Sequence, residues 1–325
     1  MRGLRALPKA NLHLHLTGSM RPSTLLDLAA RHGIAIPPPL PAGVAGSWAD
    51  FQARYDSARS AIRSSGDIVR VVTEAAADDA ADGCGWLEIQ LDPTSYVPVL
   101  GDERASVEAV LVAAAQARIP TRVVVASSWA RSGEHALRLA RLAAEYASDG
   151  VVGFGLSNDE RLGRVAEFEP AFRVAAEAGL LAVPHSGFFT GPDHVRDCVE
   201  LLGARRIGHG TSAAADPGVL ELLVQRGVGL EVCPTSYPPL GVHELPDVPV
   251  PGLLDAGVTV ALATDDPLLF GTGLAGQYEI CREVLGLSDQ QLAVLARHSI
   301  RCSAAPPQLR DELLRGVRDW LERDS

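Results

Sequence analysis

Short apolar runs rich in β-branched residues alternate along the chain with longer segments rich in alanine and leucine. Near-continuous apolar runs are typical of parallel strands buried on both faces, and the longer segments have the spacing of helices that cover such a sheet. The pattern predicts eight strands, at residues 11–16, 86–91, 122–127, 151–156, 180–186, 206–210, 229–233 and 258–266.

Eight strand–helix units in 325 residues predict a (β/α)8 TIM barrel, an α/β fold. A doubly wound open sheet is the second choice, because no glycine-rich phosphate loop follows the first predicted strand. No repeat, linker or low-complexity segment divides the chain, so we expect a single domain over residues 1–325.

Two segments extend beyond the basic barrel pattern. Residues 21–66 are too long for a simple connection after the first strand. They predict two helices, joined by the proline-rich stretch IPPPLPAG and laid over one mouth of the barrel. Residues 288–324 predict helices at the C-terminal end.

The formal net charge of −11 argues against nucleic acid or an anionic membrane as the main partner. No apolar run approaches the roughly 20 residues of a membrane span, and the first residues lack the apolar core of a signal peptide. The five cysteines are scattered and form no CxxC pair, which argues against a disulfide framework or a cysteine-type zinc site. These features together predict a cytoplasmic protein.

Candidate chemistry begins in the first predicted strand, NLHLHL, which carries His13 and His15. Residues two apart on a strand point to the same face, so both imidazoles should enter the barrel. Two buried imidazoles are unfavourable unless they are bonded, and a metal ion is the usual reason. The pair alone is equally consistent with two hydrogen-bonded core histidines.

Further ligand-type residues fall at the ends of later predicted strands. His185 lies near the end of the fifth strand, His209 near the end of the sixth, and Asp265 and Asp266 at the end of the eighth. Barrel enzymes place their sites at the C-terminal ends of their strands. Histidines combined with a carboxylate suit a zinc ion that keeps one position open for water. The sequence therefore predicts a catalytic metal site.

The remaining candidates are given structural roles. Glu88, in the second strand, is predicted to be a buried, hydrogen-bonded carboxylate that supports the metal site. The histidines outside the strand ends are predicted to be surface or packing residues in helices or loops: His32, His135, His194, His243 and His298.

Seven motifs, in order along nearly the whole chain, resemble the adenosine deaminase family of zinc aminohydrolases. They are PKANLHLHLTGS, VVGFGLSNDE, HSGFFTGPDHV, RIGHGTS, LEVCPTS, ATDDPLLFGT and SIRCSAAP. The resemblance implies a (β/α)8 barrel that binds one Zn²⁺ and a small-molecule substrate. By motif position, the residues that match the zinc ligands are His13, His15, His185 and Asp265. His209 matches the histidine that orients and deprotonates the zinc-bound water, and Asp266 matches a substrate-orienting aspartate.

The chain departs from the family where the substrate is held. Phe188, in HSGF, replaces the glutamic acid of the family's HAGE motif, which protonates the ring nitrogen beside the reacting carbon. General acid–base catalysis contributes roughly 10²–10⁴ in rate, so this loss is large. Thr17 replaces a substrate-binding aspartate, Gly155 replaces another aspartate, and Asn158 replaces a glycine whose backbone approaches the purine.

The substitutions also suggest how the altered pocket works. Phe188 is expected to line the pocket and pack on a flat or apolar part of the substrate, with Asp266, Thr17 and Asn158 as the other substrate contacts. The alternative is that Phe188 turns away into the core and an unrelated group supplies the lost proton. The nearest carboxylates by motif position are Asp159, Glu160 and Asp266, and of these only Asp266 is expected to face the pocket.

Three functions remain open from the sequence. The first is a zinc hydrolase that acts at a C–N bond of a purine-like or other nitrogen heterocycle, but not on adenosine. The second is a zinc hydrolase or lyase of different scope, such as ring opening or amide cleavage, in which Asp265 or Asp266 moves the proton. The third is a non-catalytic metal-binding homologue, which the intact ligand set and His209 argue against.

Overall fold

The computed structural model describes residues 2–38 and 46–322. In these residues eight strands form one parallel sheet whose order follows the chain. The strands are β1 Lys9–His15, β2 Cys84–Leu91, β3 Thr121–Ser128, β4 Val151–Ser157, β5 Leu181–Ser186, β6 Arg206–His209, β7 Gly229–Val232 and β8 Thr259–Leu262. The α-helices are α1 Pro22–His32, α2 Trp48–Ser60, α3 Ser65–Ala81, α4 Val97–Leu100, α5 Glu103–Ala115, α6 Gly133–Glu145, α7 Glu169–Glu177, α8 Pro192–Leu201, α9 Pro217–Arg226, α10 Val250–Asp255, α11 Pro267–Phe270, α12 Leu274–Glu283, α13 Asp289–Cys302 and α14 Pro307–Glu322.

The first and last strands meet and close the sheet. The backbone N–H of Asp265 donates to the carbonyl of His13 at 2.8 Å, and that of His15 donates to the carbonyl of Asp265 at 3.1 Å. An isolated parallel bridge joins Leu14 to Asp265 at the same place. The predicted (β/α)8 barrel is therefore confirmed, and the doubly wound open sheet is wrong.

All eight predicted strands are present, but β1, β6, β7 and β8 end earlier than predicted, β1 at His15 instead of residue 16 and β7 at Val232 instead of residue 233. β8 ends at Leu262 instead of residue 266, and β6 ends at His209 instead of residue 210. The backbone of Asp265 has a φ of 58° and that of His209 a φ of 67°. The left-handed backbone of His209 ends β6, whereas β8 has already ended at Leu262 and Asp265 makes only the isolated bridge to Leu14.

The helices outside the barrel follow from local sequence signals. In α6, for example, the Ser132 side chain accepts a hydrogen bond from a backbone N–H of the first turn and caps the helix. Ala136, Leu139, Ala140 and Ala143 of α6 are fully buried. Their spacing of three and four residues places them on one face, which packs against the barrel and α7.

The helices predicted outside the basic pattern are also present. α1 and α2 occupy residues 21–66 as expected, and α3 begins at the end of that segment. α2 lies over the barrel mouth, where its Phe51 and Tyr55 line the same cavity as His209. Most of the proline-rich stretch between α1 and α2 lies outside the described residues. α13 and α14 are the predicted C-terminal helices.

Among the helices of residues 2–38 and 46–322, none has both the length and the apolar character needed to cross a membrane.

Candidate functional site

Four imidazoles and one carboxylate converge at the C-terminal mouth of the barrel. His13 and His15 come from β1, His185 from β5 and His209 from β6, while Asp265 follows β8. The Nε2 atoms of His13 and His185 lie 2.8 Å apart. Asp265 Oδ1 lies 3.2 Å from His15 Nε2 and 3.4 Å from His13 Nε2, and its Oδ2 lies 3.8 Å from His209 Nε2. The structure thus brings together all the residues predicted for metal binding.

A buried network of charged side chains, which we call the Arg206 network, lies beneath this cluster and is hydrogen-bonded to it. His13 Nδ1 lies 3.1 Å from Glu231 Oε2 on β7. The Arg206 guanidinium donates to Glu231 at 2.5 Å and also to Glu88. Glu88 accepts a further hydrogen bond from Trp86 Nε1 at 2.8 Å. The prediction of Glu88 as a buried, hydrogen-bonded carboxylate is confirmed. Arg206 and Glu231, which connect Glu88 to the cluster, were not predicted.

The carboxylates around the cluster control its protonation. Burial by itself would lower the pKa of His13, but hydrogen bonds with Asp265 and Glu231 raise that pKa to about 10. Burial would raise the pKa of Asp265, but hydrogen bonds from His13 and His15 hold it well below its usual range. Burial lowers the pKa of His209 to about 3, so its imidazole is neutral at neutral pH. Without a metal ion His13 is therefore protonated and His209 is neutral, and a cation bound here would displace the Nε2 proton of His13 and use the lone pair that it leaves.

These donors fit a bound metal ion. The hydrogen bond of His13 Nδ1 with Glu231 directs the Nε2 lone pair of His13 to the centre of the cluster. Ligand atoms of His13, His185 and His209 lie within 4.8 Å of one another, as do those of His15, Asp265 and Asp266. Imidazole nitrogens together with a carboxylate oxygen are the ligand types of catalytic zinc sites.

The other histidines lie outside the cluster, in helices or a loop, as predicted. His32, His135, His194 and His298 are in α1, α6, α8 and α13, and His243 is in the loop between β7 and α10.

Three non-glycine residues of the described chain have a positive φ, and all three line the site. They are Asn158 at 75°, His209 at 67° and Asp265 at 58°. Such conformations cost on the order of 1–3 kcal/mol each and occur most often at functional sites. No sequence pattern predicted this backbone strain, although asparagine tolerates the left-handed region better than most residues.

Phe188 lines the cavity beside the cluster. Its ring centroid lies 4.5 Å from that of His209 and 5.6 Å from that of Tyr237. An apolar ring therefore occupies the space beside the imidazole, as predicted from the sequence. The alternative, in which Phe188 turns away into the core, does not occur.

Aromatic side chains from α2 and α11 extend this apolar wall. Trp48 packs edge-on against Phe189, with centroids 5.7 Å apart. Phe51 stacks on Phe270 at 5.5 Å with an interplanar angle of 5°. The cavity thus has a polar floor of histidines and carboxylates and aromatic walls that suit a flat ring.

The predicted substrate contacts differ in their placement. Asp266 and Asn158 line the cavity, and Asp266 Oδ1 is buried without a hydrogen-bond partner among the described residues. A Cβ atom on Gly18 would lie 1.7 Å from that oxygen, so only glycine leaves room for it. Thr17 was predicted to contact the substrate directly, but it does not line the cavity. Its side chain is fully buried, and its hydroxyl lies 2.7 Å from the hydroxyl of Tyr96, which lines the cavity in its place.

A second carboxylate, that of Glu160, lies in the cavity lining, where it was not predicted. Glu160 lines the cavity, although only Asp266 was predicted to face it. The neighbouring Asp159 instead forms two hydrogen bonds with Arg161, at 2.7 and 2.8 Å. Motif position indicated both carboxylates but did not show which of them faces the pocket.

Comparisons with known proteins agree with this geometry. A family model described as adenosine deaminase matches residues 8–320. A Streptomyces virginiae protein named "Putative adenosine/adenine deaminase" is 51% identical, covering 98% of each chain. An aminodeoxyfutalosine deaminase of Streptomyces avermitilis is 36% identical, covering 92% of this chain and 87% of the relative. The crystal structure of an adenine deaminase from Arthrobacter aurescens superimposes with a TM-score of 0.86 at 28% identity, covering 97% of this chain and 99% of that one.

Proposed function

Because the chain belongs to the adenosine deaminase family of hydrolases that act on C–N bonds, we propose that it is a zinc-dependent aminohydrolase of a purine-like or other nitrogen heterocycle. We propose further that adenosine is not its main substrate, and that residues 1–325 form one hydrolase domain. The observation that carries the proposal is the convergence of His13, His15, His185 and Asp265 beside the aromatic ring of Phe188.

These four residues would hold the metal. Their ligand atoms converge from β1, β5 and the segment after β8, which the closed barrel fixes relative to one another. Zinc, when bound, supplies a Lewis acid that lowers the pKa of a coordinated water toward about 7. Glu231 would hold a proton on His13 Nδ1, so that His13 binds the metal through Nε2 once the Nε2 proton has been displaced.

His209 is the proposed general base. Its Nε2 lies 3.8 Å from Asp265 Oδ2, beside the proposed ligands. Burial lowers the pKa of His209 to about 3, so the imidazole is neutral and has a lone pair for a proton of the attacking water, and the nearby charge of Asp265 favours the imidazolium that would form. Asp265 Oδ2, which lies near His209 Nε2, would help to orient this water.

The remaining cavity residues would hold the substrate. Asp266 offers an unpartnered buried oxygen, and burial beside Asp265 raises its pKa well above the usual range. A protonated Asp266 can donate a hydrogen bond to the heterocycle. Phe188 would pack against the ring and Asn158 would contact its edge, while Thr17 acts indirectly by fixing Tyr96.

The names of the relatives suggest which compounds to test. Zinc-loaded protein would be assayed with the adenine-type compounds adenine, adenosine, 2′-deoxyadenosine and aminodeoxyfutalosine, and with guanine and guanosine as amino-substituted lactam rings, by loss of ultraviolet absorbance and by release of ammonia. We expect ammonia from at least one amino-substituted heterocycle, and loss of that activity after chelation. Full activity in metal-free protein, or cleavage of C–N bonds only in open-chain amides, would contradict the proposal.

A further inference from the structure

Glu160 fixes the loop that carries Phe188. The loop follows β5, and its backbone N–H groups at Phe188, Phe189 and Thr190 each donate to Glu160 Oε1 at 2.8 Å. The Thr190 hydroxyl donates to the same oxygen at 2.6 Å. Four donors on one oxygen suit a carboxylate, which accepts hydrogen bonds and does not donate them. We call Glu160 with residues 188–190 the Glu160 wall.

The second carboxylate oxygen is available to a ligand. Glu160 is 2% exposed and lines the cavity. No hydrogen bond from residues 2–38 or 46–322 engages its Oε2. Oε2 is also not one of the fully buried polar atoms without a partner, so this oxygen is not fully buried. With Oε1 surrounded by the loop, Oε2 is the oxygen that Glu160 presents to the cavity.

The Glu160 wall therefore offers the substrate an acceptor and no donor. Its three backbone N–H groups and the Thr190 hydroxyl are already bonded to Oε1. The phenyl rings of Phe188 and Phe189 carry no polar hydrogen. A ring nitrogen with a lone pair would face a carboxylate oxygen there and be left unpaired, whereas a ring N–H would be bonded.

We propose that Glu160 is a specificity-determining residue, and that its free oxygen selects a heterocycle with an N–H donor on the edge facing the Glu160 wall. This inference rests on the proposed function and narrows its substrate class. The favoured rings are of the lactam type, as in guanine, whose ring nitrogen already carries hydrogen. Adenine-type rings present a bare ring nitrogen at the corresponding edge and are disfavoured.

The test compares two variants against two pairs of probes. Glu160→Gln keeps an oxygen for the loop donors but turns an NH2 group toward the cavity. Thr190→Val is the matched control, because it removes one donor to Oε1 and leaves Oε2 unchanged. Dissociation constants would be measured by calorimetric titration of the zinc-loaded proteins with guanine and adenine, and with guanosine and adenosine.

We expect the wild-type protein to bind the lactam-type member of each pair at least about tenfold more tightly, since hydrogen bonds to charged groups are worth roughly 1.5–3 kcal/mol. Glu160→Gln should abolish or reverse this preference, and Thr190→Val should keep it. A wild-type protein without the preference would overturn the inference even if Glu160→Gln does not fold. An unchanged preference in Glu160→Gln, or an equal loss in Thr190→Val, would also overturn it.

The binding ratios do not depend on turnover, so the two proposals can fail separately. Absence of ammonia release with the expected ratios would reject the aminohydrolase and leave the role of Glu160. Ammonia release, together with the same binding ratios in the wild type and in Glu160→Gln, would keep the aminohydrolase and reject the role of Glu160.

Discussion

The ring of Phe188 packs against the imidazole of His209, with centroids 4.5 Å apart and an interplanar angle of 57°. The side chain next to the proposed base is therefore one that can neither give nor take a proton. A planar substrate that enters between the aromatic walls would meet a proton acceptor at His209 but no acid at Phe188. This arrangement determines the first prediction.

Adenosine should be a poor substrate. Its deamination requires a proton on the ring nitrogen, and loss of a general acid costs about 10²–10⁴ in rate. We expect kcat/KM for adenosine and 2′-deoxyadenosine well below the usual range of roughly 10⁴–10⁸ M⁻¹s⁻¹. Steady-state assays measure this directly, and values inside that range would show that a water or Asp266 replaces the missing acid.

The variant Phe188→Glu tests whether the missing acid or the other altered contacts of the pocket limit adenosine turnover. Its matched control is Phe189→Glu, which adds the same charge to the adjacent cavity residue. A gain in adenosine turnover for Phe188→Glu alone would mean that the missing acid is the main barrier. No gain in either variant would assign the barrier to the other altered contacts.

Metal binding should depend on the pair of histidines from β1. The double variant His13→Ala/His15→Ala removes two ligands that share Asp265 as a neighbour, so we expect loss of the metal from purified protein. Elemental analysis gives the metal content per chain. The control is His32→Ala/His135→Ala, two histidines outside the cluster, which should keep full content. Unchanged metal in the β1 variant would show that the assignment is wrong.

Replacing the proposed base should affect the reaction and leave the metal in place. His209→Ala is expected to lower kcat by about 10²–10⁴ on the true substrate, because proton transfer from water is lost. Metal content should equal that of the wild type, since His209 is not one of the four proposed ligands. Full turnover in His209→Ala would remove this residue from the mechanism, while loss of the metal would make it a ligand.

Arg206, the buried arginine of the Arg206 network, should contribute to the free energy of unfolding. Arg206→Met leaves Glu88 and Glu231 as buried carboxylates without their cation. Breaking such a pair costs about 3–5 kcal/mol, which urea unfolding can measure. The exposed neighbour provides the control, because Arg205→Met should change the free energy of unfolding by no more than about 0.5 kcal/mol. Equal free energies of unfolding for the two variants would mean that the Arg206 network contributes little to stability.

Stability should also depend on pH through Asp79. Burial raises the pKa of Asp79 from 3.8 to about 7. Between about pH 4 and 7 the folded protein keeps a proton that the unfolded chain has released, so stability falls as pH rises through this window. At about 1.4 kcal/mol per pKa unit, the loss could reach about 4 kcal/mol.

Asp79→Asn should remove this slope while keeping the shape of the side chain. The control is Asp78→Asn on the same helix, whose carboxylate is 54% exposed and forms a surface ion pair with Arg21. Free energies of unfolding at about pH 4.5 and 7 would be compared for the three proteins. A slope that is the same in Asp79→Asn and in the wild type would show that Asp79 does not titrate in this range.

Local patterns were enough to predict the barrel and most of the proposed metal site. Alternation along β1 placed His13 and His15 on one face, and their ring centroids lie 5.1 Å apart. His185 and Asp265 could be added because parallel strands of one barrel end at the same mouth. Strand period and strand order place these residues at the mouth, whereas their division from His209 and Asp266 as the metal ligands is what the family resemblance implies.

Contacts set by register or by side-chain rotamer could not be predicted. Glu88, Arg206 and Glu231 lie on three different strands, and only the alignment of those strands in the closed barrel makes them neighbours. Thr17 follows a strand end as a pocket residue would, yet it turns to Tyr96. Glu160 faces the cavity because the loop after β5 supplies donors to its other oxygen, and that loop is distant in sequence.

The left-handed backbone at Asn158, His209 and Asp265 has a consequence for directed evolution. Glycine adopts this conformation without the penalty of about 1–2 kcal/mol per residue that other side chains incur. A library screened only for heat tolerance would therefore enrich glycine at the positions that face the cavity. Variants improved in this way would lose the proposed base and a proposed ligand, so any such screen needs a functional readout at every round.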